Sequence, residues 1–437
     1  MQLAPGMKYG PFTLLLIFCI TIAPQNPLQL ALQAQPPWPL AWDEPVTLGY
    51  TAAQMGAVRL HPEGAPLAGP YYELGGAADL VLHFDDLEGG YPNYTYTLRH
   101  CDRFWYPSDF DVRDYLSGWG DAPVNEVNAS FGTMDSYTHC HARIPTNDIA
   151  PIVSGNYLLI VHRTGSAEDI MLMRRMVVFE RSAGVTVQMQ RAVQADQVLT
   201  HQRIRVTAKL PATVRLTNPM GDVALTVVQN GRWESAAVAV APAFLRGDIL
   251  TFEQDPTLLF SGADHWRSAD LKSTRYRALG ISRLTRSDEG WSFELKPATS
   301  RRFNMQSGRP DLHGEFVVHN DVFDDVETSS EYVDVHFSLE HQQFGTAQPE
   351  EVFIFGALSG WAFPESHRMA YSPDEQMYLL TLRLKQGYYD YLFLTPYAQT
   401  LYTFEGEHAA VDNRYIAFLY APDPRGLDRV IGMERLE

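Results

Sequence analysis

Hydrophobic and polar residues alternate over short stretches along most of the chain. Leu80, Leu82 and Phe84 alternate with other residues, and Ile204 and Val206 repeat the pattern later. Because successive side chains of a β-strand point to opposite faces, this alternation predicts strands with a buried face. The segments that we expect to be strands are 80–84, 94–96, 157–162, 171–179, 204–206, 225–227, 332–339, 352–355, 378–384 and 389–394.

Turn-forming residues separate these segments, as at Gly89-Gly90, Asn218-Pro219 and Asn230-Gly231. Strands that are bounded by such turns at short spacing indicate an all-β fold of tandem antiparallel β-sandwich domains, of the immunoglobulin-like or early-set kind. Long helical periodicity is absent, and residues 109–116 are the one stretch where we expect a short helix.

The length of 437 residues suggests two to four domains, at about 100–200 residues per domain. A weak break lies near 181–184, where a predicted strand ends, and a polar, acidic stretch follows at 321–330. We therefore expect three sandwiches, at residues 40–182, 183–325 and 326–437. The tail from 413 to 437 is predicted to form the last strands of the third sandwich.

The first 34 residues have the pattern of a secretory signal peptide. Lys8 precedes an apolar run from Phe12 to Ala23, which is too short to span a bilayer comfortably, and Pro24 follows. A signal anchor is the alternative interpretation. Cys19 is not expected to carry a lipid, because the bulky Ile17 and Phe18 precede it. We expect residues 1–34 to direct the protein to the periplasm.

Composition narrows the choice of partners. The formal net charge is −18, so the surface is expected to repel nucleic-acid phosphates and anionic lipids. No second stretch of 18 apolar residues occurs, so direct membrane insertion is not expected either. The sequence contains no nucleophile elbow, phosphate-binding loop or dinucleotide fingerprint. We expect no enzyme activity, no cofactor and no small-molecule substrate.

Histidines, cysteines and aromatic residues are densest between residues 100 and 145, and three interpretations compete there. The first is a zinc site, although neighbours on a strand point to opposite faces and do not converge. The second is a disulfide between Cys101 and Cys140, which suits an oxidising compartment. The third is a packed aromatic corner that buries a thiol. The residues considered for zinc are His100, Cys101, His139, Cys140 and His141.

The C-terminal third has an aromatic pattern of its own. A strand and Gly356-x4-Trp361 are followed by a hairpin and then by Gly387-x-Tyr389-x-Tyr391. This order resembles the early-set immunoglobulin-like domain of glycogen-binding modules. Trp361 and Tyr388 would bind carbohydrate in one interpretation and would be core aromatics in the other.

An ordered set of motifs spans nearly the whole mature chain and resembles the type IX secretion system plug protein family of Bacteroidetes. The most specific motifs are His100-Cys101-x3-Trp105-x-Pro107-Ser108 and Ser130-Phe131-x-Thr133-x3-Tyr137-Thr138-His139. We expect the motif residues to be structural. They are His100, Trp105, Pro107, Ser108, Gly118, Ser130, Tyr137, His139, Gly155 and Tyr157.

The resemblance implies a specific function, which the composition alone does not indicate. It implies a non-enzymatic plug at the inner face of the outer membrane, which binds and seals the periplasmic opening of the type IX translocon barrel. The barrel protein would be the partner. The alternative is an exported glycan-binding sandwich of the carbohydrate-binding-module type, which would need exposed, coplanar aromatic rings.

Overall fold

The computed structural model describes residues 49–214, 216–253, 256–303, 310–341, 350–397 and 401–436. The predicted signal peptide at 1–34 lies outside these residues. The regular secondary structure of the described chain is almost entirely β-strand, which confirms the predicted all-β fold of tandem sandwiches. Within these ranges, no helix is long and apolar enough to cross a membrane.

The first sandwich packs one sheet with the order β1-β12-β11-β5-β7, where β3 lies beside β12, against a sheet with the order β2-β4-β9-β8. Strands β6 and β10 form a separate pair. The strands of this sandwich are β1 (Tyr50–Thr51), β2 (Met55–Pro62), β3 (Tyr71–Glu73), β4 (Leu80–Asp86), β5 (Tyr94–Cys101), β6 (Leu116–Gly118), β7 (Asp121–Pro123), β8 (Glu126–Ala129), β9 (Thr138–Ile144), β10 (Ile149–Pro151), β11 (Gly155–Arg163) and β12 (Ile170–Phe179).

The second sandwich is assembled from two separate parts of the chain. One sheet has the order β13-β14-β18-β17, with β19 beside β14, and the other has the order β16-β15-β29-β30. Its strands are β13 (Gly184–Arg191), β14 (His201–Lys209), β15 (Ala224–Gln229), β16 (Arg232–Val240), β17 (Phe244–Arg246), β18 (Ile249–Phe252), β19 (Leu259–Ser261), β29 (Tyr415–Pro422) and β30 (Asp428–Leu436).

The third sandwich lies between β19 and β29 in the sequence. A sheet with the order β21-β22-β24-β27-β26 faces one with the order β20-β28-β23, where β25 also pairs with β28. Its strands are β20 (Arg267–Asp270), β21 (Ile281–Ser287), β22 (Gly290–Leu295), β23 (Phe316–Val318), β24 (Tyr332–Glu340), β25 (Phe353–Phe355), β26 (Ala370–Ser372), β27 (Met377–Lys385) and β28 (Gly387–Leu394).

This arrangement corrects the predicted division at 325/326. Strands β20 to β23 belong to the third sandwich, and the tail that was assigned to the third sandwich completes the second one. Strand β29 pairs with β15 in an antiparallel register that sets Val227 opposite Ala417. The two residues are far apart in the sequence, so the pairing leaves no local signal, and the third sandwich is an insertion into the second.

Among the residues that the structure describes, helices are few and short. The α-helices are α1 (Val112–Tyr115), α2 (Pro219–Asp222) and α3 (Val326–Ser329), and two 3₁₀ turns cover Ala357–Ser359 and Glu365–His367. Helix α1 lies inside the stretch 109–116 where a short helix was expected, and the Asp111 side chain caps it by accepting from the Arg113 N–H. Helix α3 comes directly before β24 and carries side chains to the first sandwich.

Each sandwich has its own core, and a further apolar cluster joins the first sandwich to the second. Leu158 and Ile160 on the outer face of β11 lie in this cluster with Val228 of β15 and Phe418 of β29. Strands β11 and β12 are therefore covered on both faces, which explains why they read as nearly continuous apolar runs rather than as clean alternation.

Candidate functional site

His100 lies at the contact between the first and second sandwiches and is fully buried. Its Nε2–H donates to the carbonyl oxygen of Asp428 at 3.1 Å, and its Nδ1 accepts from the Ser108 hydroxyl at 2.7 Å. Burial lowers the pKa of His100 to about 4, so the ring is neutral at pH 7. A neutral, singly protonated ring suits a residue that donates on one side and accepts on the other.

Gly155 makes room for this histidine. A Cβ at this position would lie 2.2 Å from His100 Nε2 and 3.0 Å from the Asp428 carbonyl oxygen. Two residues further along β11, the Tyr157 ring packs edge-on against His100, and its hydroxyl donates to the carbonyl oxygen of Val153 at 2.9 Å. Gly155 and Tyr157 therefore both pack around His100.

Trp105 is 2% exposed, has φ of 71°, and reaches from the first sandwich into the second. Its ring packs edge-on against Trp233 with 4.9 Å between the ring centroids. The Arg175 guanidinium lies 4.4 Å from the centroid of the Trp105 ring, and burial lowers the pKa of Arg175 to about 9. Pro107 pairs with Cys101 by an isolated β-bridge, which closes the loop that carries Trp105.

The same contact includes polar partners beyond the ten motif residues that were expected to be structural. The Nε of Arg103 donates to both carboxylate oxygens of Asp428, at 2.9 and 3.0 Å. The Tyr420 hydroxyl donates to the side-chain oxygen of Asn156 at 2.8 Å. Asp428 and Tyr420 lie at the far C-terminal end of the chain. Their pairing with the first sandwich follows from the position of β29 and β30, which sequence reasoning placed elsewhere.

A second group of motif residues lies where the first sandwich meets the third. The Tyr137 hydroxyl lies 2.9 Å from the carbonyl oxygen of Ser330 and 3.0 Å from that of Glu327. The Ser130 hydroxyl oxygen accepts from the Tyr137 N–H at 3.0 Å, and the Lys385 ammonium lies 4.4 Å from the centroid of the Tyr137 ring. Tyr137 therefore holds the segment around helix α3 against β9.

Asp85 is the centre of a buried polar network at this contact. One oxygen accepts from the Lys385 ammonium at 2.6 Å and from the Tyr332 hydroxyl at 2.7 Å, and the other accepts from the His139 Nδ1–H at 2.7 Å. The side chains of Asp85 and Lys385 are both 0% exposed. Burial lowers the pKa of Lys385, although the charge of Asp85 opposes this effect.

Arg59 and Glu327 form a second ion pair across the same contact. The Arg59 guanidinium donates to the Glu327 carboxylate at 2.5 Å. Burial alone would raise the pKa of Glu327, but the charge and hydrogen bond of Arg59 outweigh it and lower this pKa to about 2. None of Arg59, Asp85, Glu327 and Lys385 was expected as a site residue, because their partners are far away in the sequence.

The structure does not form the disulfide considered between Cys101 and Cys140. Both are buried free thiols, and burial raises the pKa of each to about 12. Cys101 faces the apolar cluster at the second sandwich, whereas Cys140 faces the core of the first. The two strands belong to different sheets, and the alternation of side chains directs the thiols to different layers.

The zinc site considered from the five Cys and His residues of this region is not assembled either. His100 and Cys101 lie on β5 of one sheet, and Cys140 on β9 of the other points into the core. His139 and His141 share the outer face of β9, where the ring of His141 stacks on His83 at 4.7 Å. His139 therefore has different neighbours from those that the sequence suggested.

Gly118 and Trp119 lie on the surface of the first sandwich. Gly118 has φ of 92°, and a Cβ there would lie 2.1 Å from the carbonyl oxygen of Asp148, so the turn requires glycine. Trp119 follows and is 85% exposed. Phe131, within the second motif, is also exposed.

The aromatic residues considered for carbohydrate binding do not form an open platform. The Trp361 ring packs edge-on against Trp266 at 5.8 Å and near Phe355 at 6.0 Å, within an aromatic cluster of the third sandwich. Tyr388 is half-buried on β28. The packing of Trp361 agrees with the interpretation of this residue as part of a core.

A cavity of about 140 Å³ lies where all three sandwiches meet. Arg59 and Arg174 of the first sandwich line it together with Trp233 of the second and Glu315 and Trp361 of the third. Burial raises the pKa of Glu315 to about 7. A cavity of this volume has room for several water molecules or for one small ligand.

Comparisons with known proteins address the first sandwich and the whole fold separately. A family model described as "Type 9 secretion system plug protein 1st domain" matches residues 55–180. The crystal structure of a hypothetical protein from Parabacteroides merdae ATCC 43184 superposes with a TM-score of 0.82 at 22% identity, over 88% of this chain and 98% of that one. At this identity the likeness shows the fold alone. No curated protein matches the chain.

The matched residues contain all ten motif residues of the sequence analysis, from His100 to Tyr157. The family is one of secretion components rather than of enzymes, and it connects the chain with type IX secretion. Residues 55–180 thus match the first domain of type 9 secretion system plug proteins, which supports a place for the chain in the type IX secretion plug family.

Proposed function

We propose that this protein is a periplasmic plug that binds the periplasmic opening of the type IX outer-membrane translocon barrel and seals it. The observation that carries the proposal is the family match over residues 55–180, because that family is named for the plug of this secretion system. The acidic, exported character expected from the sequence agrees with a location between the membranes.

Physical obstruction of a wide pore requires a body that does not deform, and the contacts between the sandwiches support this requirement. Leu158 and Phe418 are fully buried between the first and second sandwiches, and the Asp85–Lys385 pair is fully buried between the first and third. Close-packed interiors have low compressibility. The three sandwiches therefore act as a single stopper rather than as beads on a flexible chain.

A plug must also leave when the pore is in use. A ligand shifts an equilibrium only through its differential affinity for the two states, so the plug must bind the empty barrel more tightly than the loaded one. We propose that the binding face is formed by surface residues outside the two buried contacts. Exposed aromatic residues of the first sandwich, among them Trp119 and Phe131, are the first positions to test.

The experiment is a deletion strain in which the barrel is confirmed present and unoccupied. We expect uptake of a large, normally excluded antibiotic to rise, and expression of the wild-type chain to reverse the increase. An affinity pull-down from solubilised outer membrane should recover a very large barrel protein. Unchanged permeability in the deletion strain would refute the proposal, and a glycan-array hit without a barrel partner would favour the glycan-binding alternative.

Variants of the exposed residues then locate the binding face. Trp119→Asp and Phe131→Asp are expected to keep the thermal midpoint of the wild type, because both side chains are exposed. A variant that folds normally but fails to restore the seal marks a contact with the barrel. A variant that restores it fully lies outside the contact.

A further inference from the structure

Three potential metal ligands meet at the contact between the first and third sandwiches. Among the described residues, His83 of β4, His139 of β9 and Glu327 of helix α3 bring their ligand atoms within 4.8 Å of one another. The two histidines belong to the first sandwich and the carboxylate to the third. Imidazole and carboxylate groups are the usual nitrogen and oxygen ligands of zinc.

The spacing of the two imidazoles is close to the spacing that zinc needs. His83 Nδ1 lies 3.1 Å from His139 Nε2. Two nitrogens that bind one zinc ion at about 2.0–2.1 Å, with a tetrahedral angle between them, stand about 3.3 Å apart. To admit the ion, the two rings must move slightly apart and turn so that both nitrogens point to one position beside the line that joins them.

His139 is already oriented as zinc-binding histidines are. Its Nδ1–H donates to Asp85 at 2.7 Å, which leaves a lone pair on Nε2 directed towards His83. A carboxylate that fixes the tautomer of a ligating histidine is the usual outer partner in zinc sites. Asp85 is itself held by Lys385 and Tyr332, so the orientation of His139 is set by both sandwiches.

Charges around the three ligands come from both sandwiches and balance one another. Asp85 and Glu327 supply negative charge, and Lys385 and Arg59 supply positive charge. Arg59 donates to Oε2 of Glu327, and the carboxylate has a second oxygen to offer to a metal ion. The Glu327 side chain is 23% exposed, which gives an ion a route from solvent.

We propose that His83, His139 and Glu327 bind a zinc ion that fastens the third sandwich to the first. Two histidines and one glutamate make a three-ligand set that leaves a fourth position for water. Binding requires His83 to present a lone pair at Nδ1, so its proton moves to Nε2 and the hydrogen bond to His139 is replaced by two bonds to the metal. The proposal concerns the joint between sandwiches and does not depend on the barrel.

The test is a zinc titration of the full mature chain, prepared without a polyhistidine tag and stripped of metal by a chelator. Isothermal titration calorimetry with zinc chloride should give one site per chain, and bound zinc should raise the thermal midpoint. His83→Gln should weaken zinc binding by more than about 100-fold, because loss of a ligand costs more than the 10–100-fold cost of an outer partner.

His141→Gln is the matched control, because its ring stacks on His83 but its Nδ1 pairs with Glu126 instead of the cluster. The control should bind zinc as the wild type does. Absence of a one-to-one site, or equal loss of binding in both variants, would overturn the proposal. If His83→Gln does not fold, the wild-type chain loaded with Co²⁺ decides: an intense visible band of a four-coordinate ion supports the site, and its absence overturns it.

Discussion

The two contacts of the first sandwich with its neighbours differ in the chemistry at their centres. Its contact with the second sandwich is largely apolar, and Leu158, Ile160 and Phe418 are at most 5% exposed there. Its contact with the third is centred on a fully buried ion pair, Asp85–Lys385. The sheet that contains β11 makes the first contact, and the sheet that contains β4 makes the second.

The difference shows how stability and specificity are divided. Apolar surface stabilises a contact by roughly 25 cal/mol for each Å² that it buries, with little demand on direction. A buried ion pair gains little over apolar residues of the same volume, but it tolerates only one arrangement, since an unpaired charge in the interior is costly. The apolar contact thus holds the body together, and the charged one fixes where the third sandwich lies.

The largest expected effect comes from removing one partner of the charged contact. Lys385→Met leaves Asp85 buried without its counter-ion and should lower the free energy of unfolding by about 4 kcal/mol, as breaking a buried ion pair does. Urea unfolding followed by fluorescence measures it. Adding Asp85→Asn should recover part of the loss, because the two sites are coupled.

Arg143→Met is the control for this comparison, because Arg143 pairs with Glu63 at 2.7 Å where both side chains are more than a third exposed. Such a surface pair contributes at most about 1 kcal/mol. If Lys385→Met cost no more than this control, the buried pair would not determine the contact.

The next effect tests the apolar contact. Trp105→Ala removes a ring that is 2% exposed and should lower the free energy of unfolding by at least about 3 kcal/mol, as other large truncations of buried aromatics do. The same urea titration measures it. A loss below 1 kcal/mol would mean that Trp233 and Arg175 do not depend on this ring.

The pH dependence follows from histidines in the two contacts. The pKa of His100 is about 4 in the folded protein and ordinarily about 6.5, so the unfolded chain binds the proton first. The contribution is full above pH 6.5 and is lost as the pH falls to about 4, with a slope of at most about 1.4 kcal/mol per pH unit. Urea midpoints between pH 7 and pH 4 test this expectation.

His100→Gln should reduce that slope without abolishing it. Burial and the nearby charge of Arg59 lower the pKa of His83 to about 2, so the contact with the third sandwich loses stability in the same direction and retains this dependence in the variant. A slope that is equal in the variant and the wild type would show that His100 is not protonated on unfolding.

Overpacking of the His100 corner should have a smaller effect. Gly155→Ala sets a Cβ 2.2 Å from His100 Nε2, and the shift this forces should cost about 2 kcal/mol. Gly184→Ala is the control, because its Cβ would meet its nearest neighbour, Lys209, at an ordinary 3.9 Å. Differential scanning calorimetry should show a lower midpoint for the first variant only.

The smallest effect is expected on the free surface of the same sandwich. Trp119→Ala removes a ring that is 85% exposed and should change the free energy of unfolding by no more than about 0.5 kcal/mol. Measured beside Trp105→Ala, it compares two tryptophans of one domain that differ in burial. A loss comparable with that of Trp105→Ala would show that the ring is covered in solution.

Many individual strands were predictable because the pattern that indicates a strand lies in neighbouring residues. The alternation around Leu82 and the continuous apolar run of 171–179 each predict their strand from neighbouring residues alone. The corner of His100, Trp105 and Ser108 was found for the same reason, since its residues lie within one short motif. What the motif did not reveal is that its partners, Trp233 and Asp428, come from the second sandwich.

The sequence by itself therefore determined ten strand segments, the all-β class and the residues of the motif corner. Only the tertiary structure decided that 415–436 returns to the second sandwich and that Asp85 meets Lys385. Pairing between distant strands depends on which faces are buried together. A local sequence pattern does not indicate which distant strand is the partner. In the sequence, the charged residues at the contact with the third sandwich look like ordinary surface residues, because only the fold buries them.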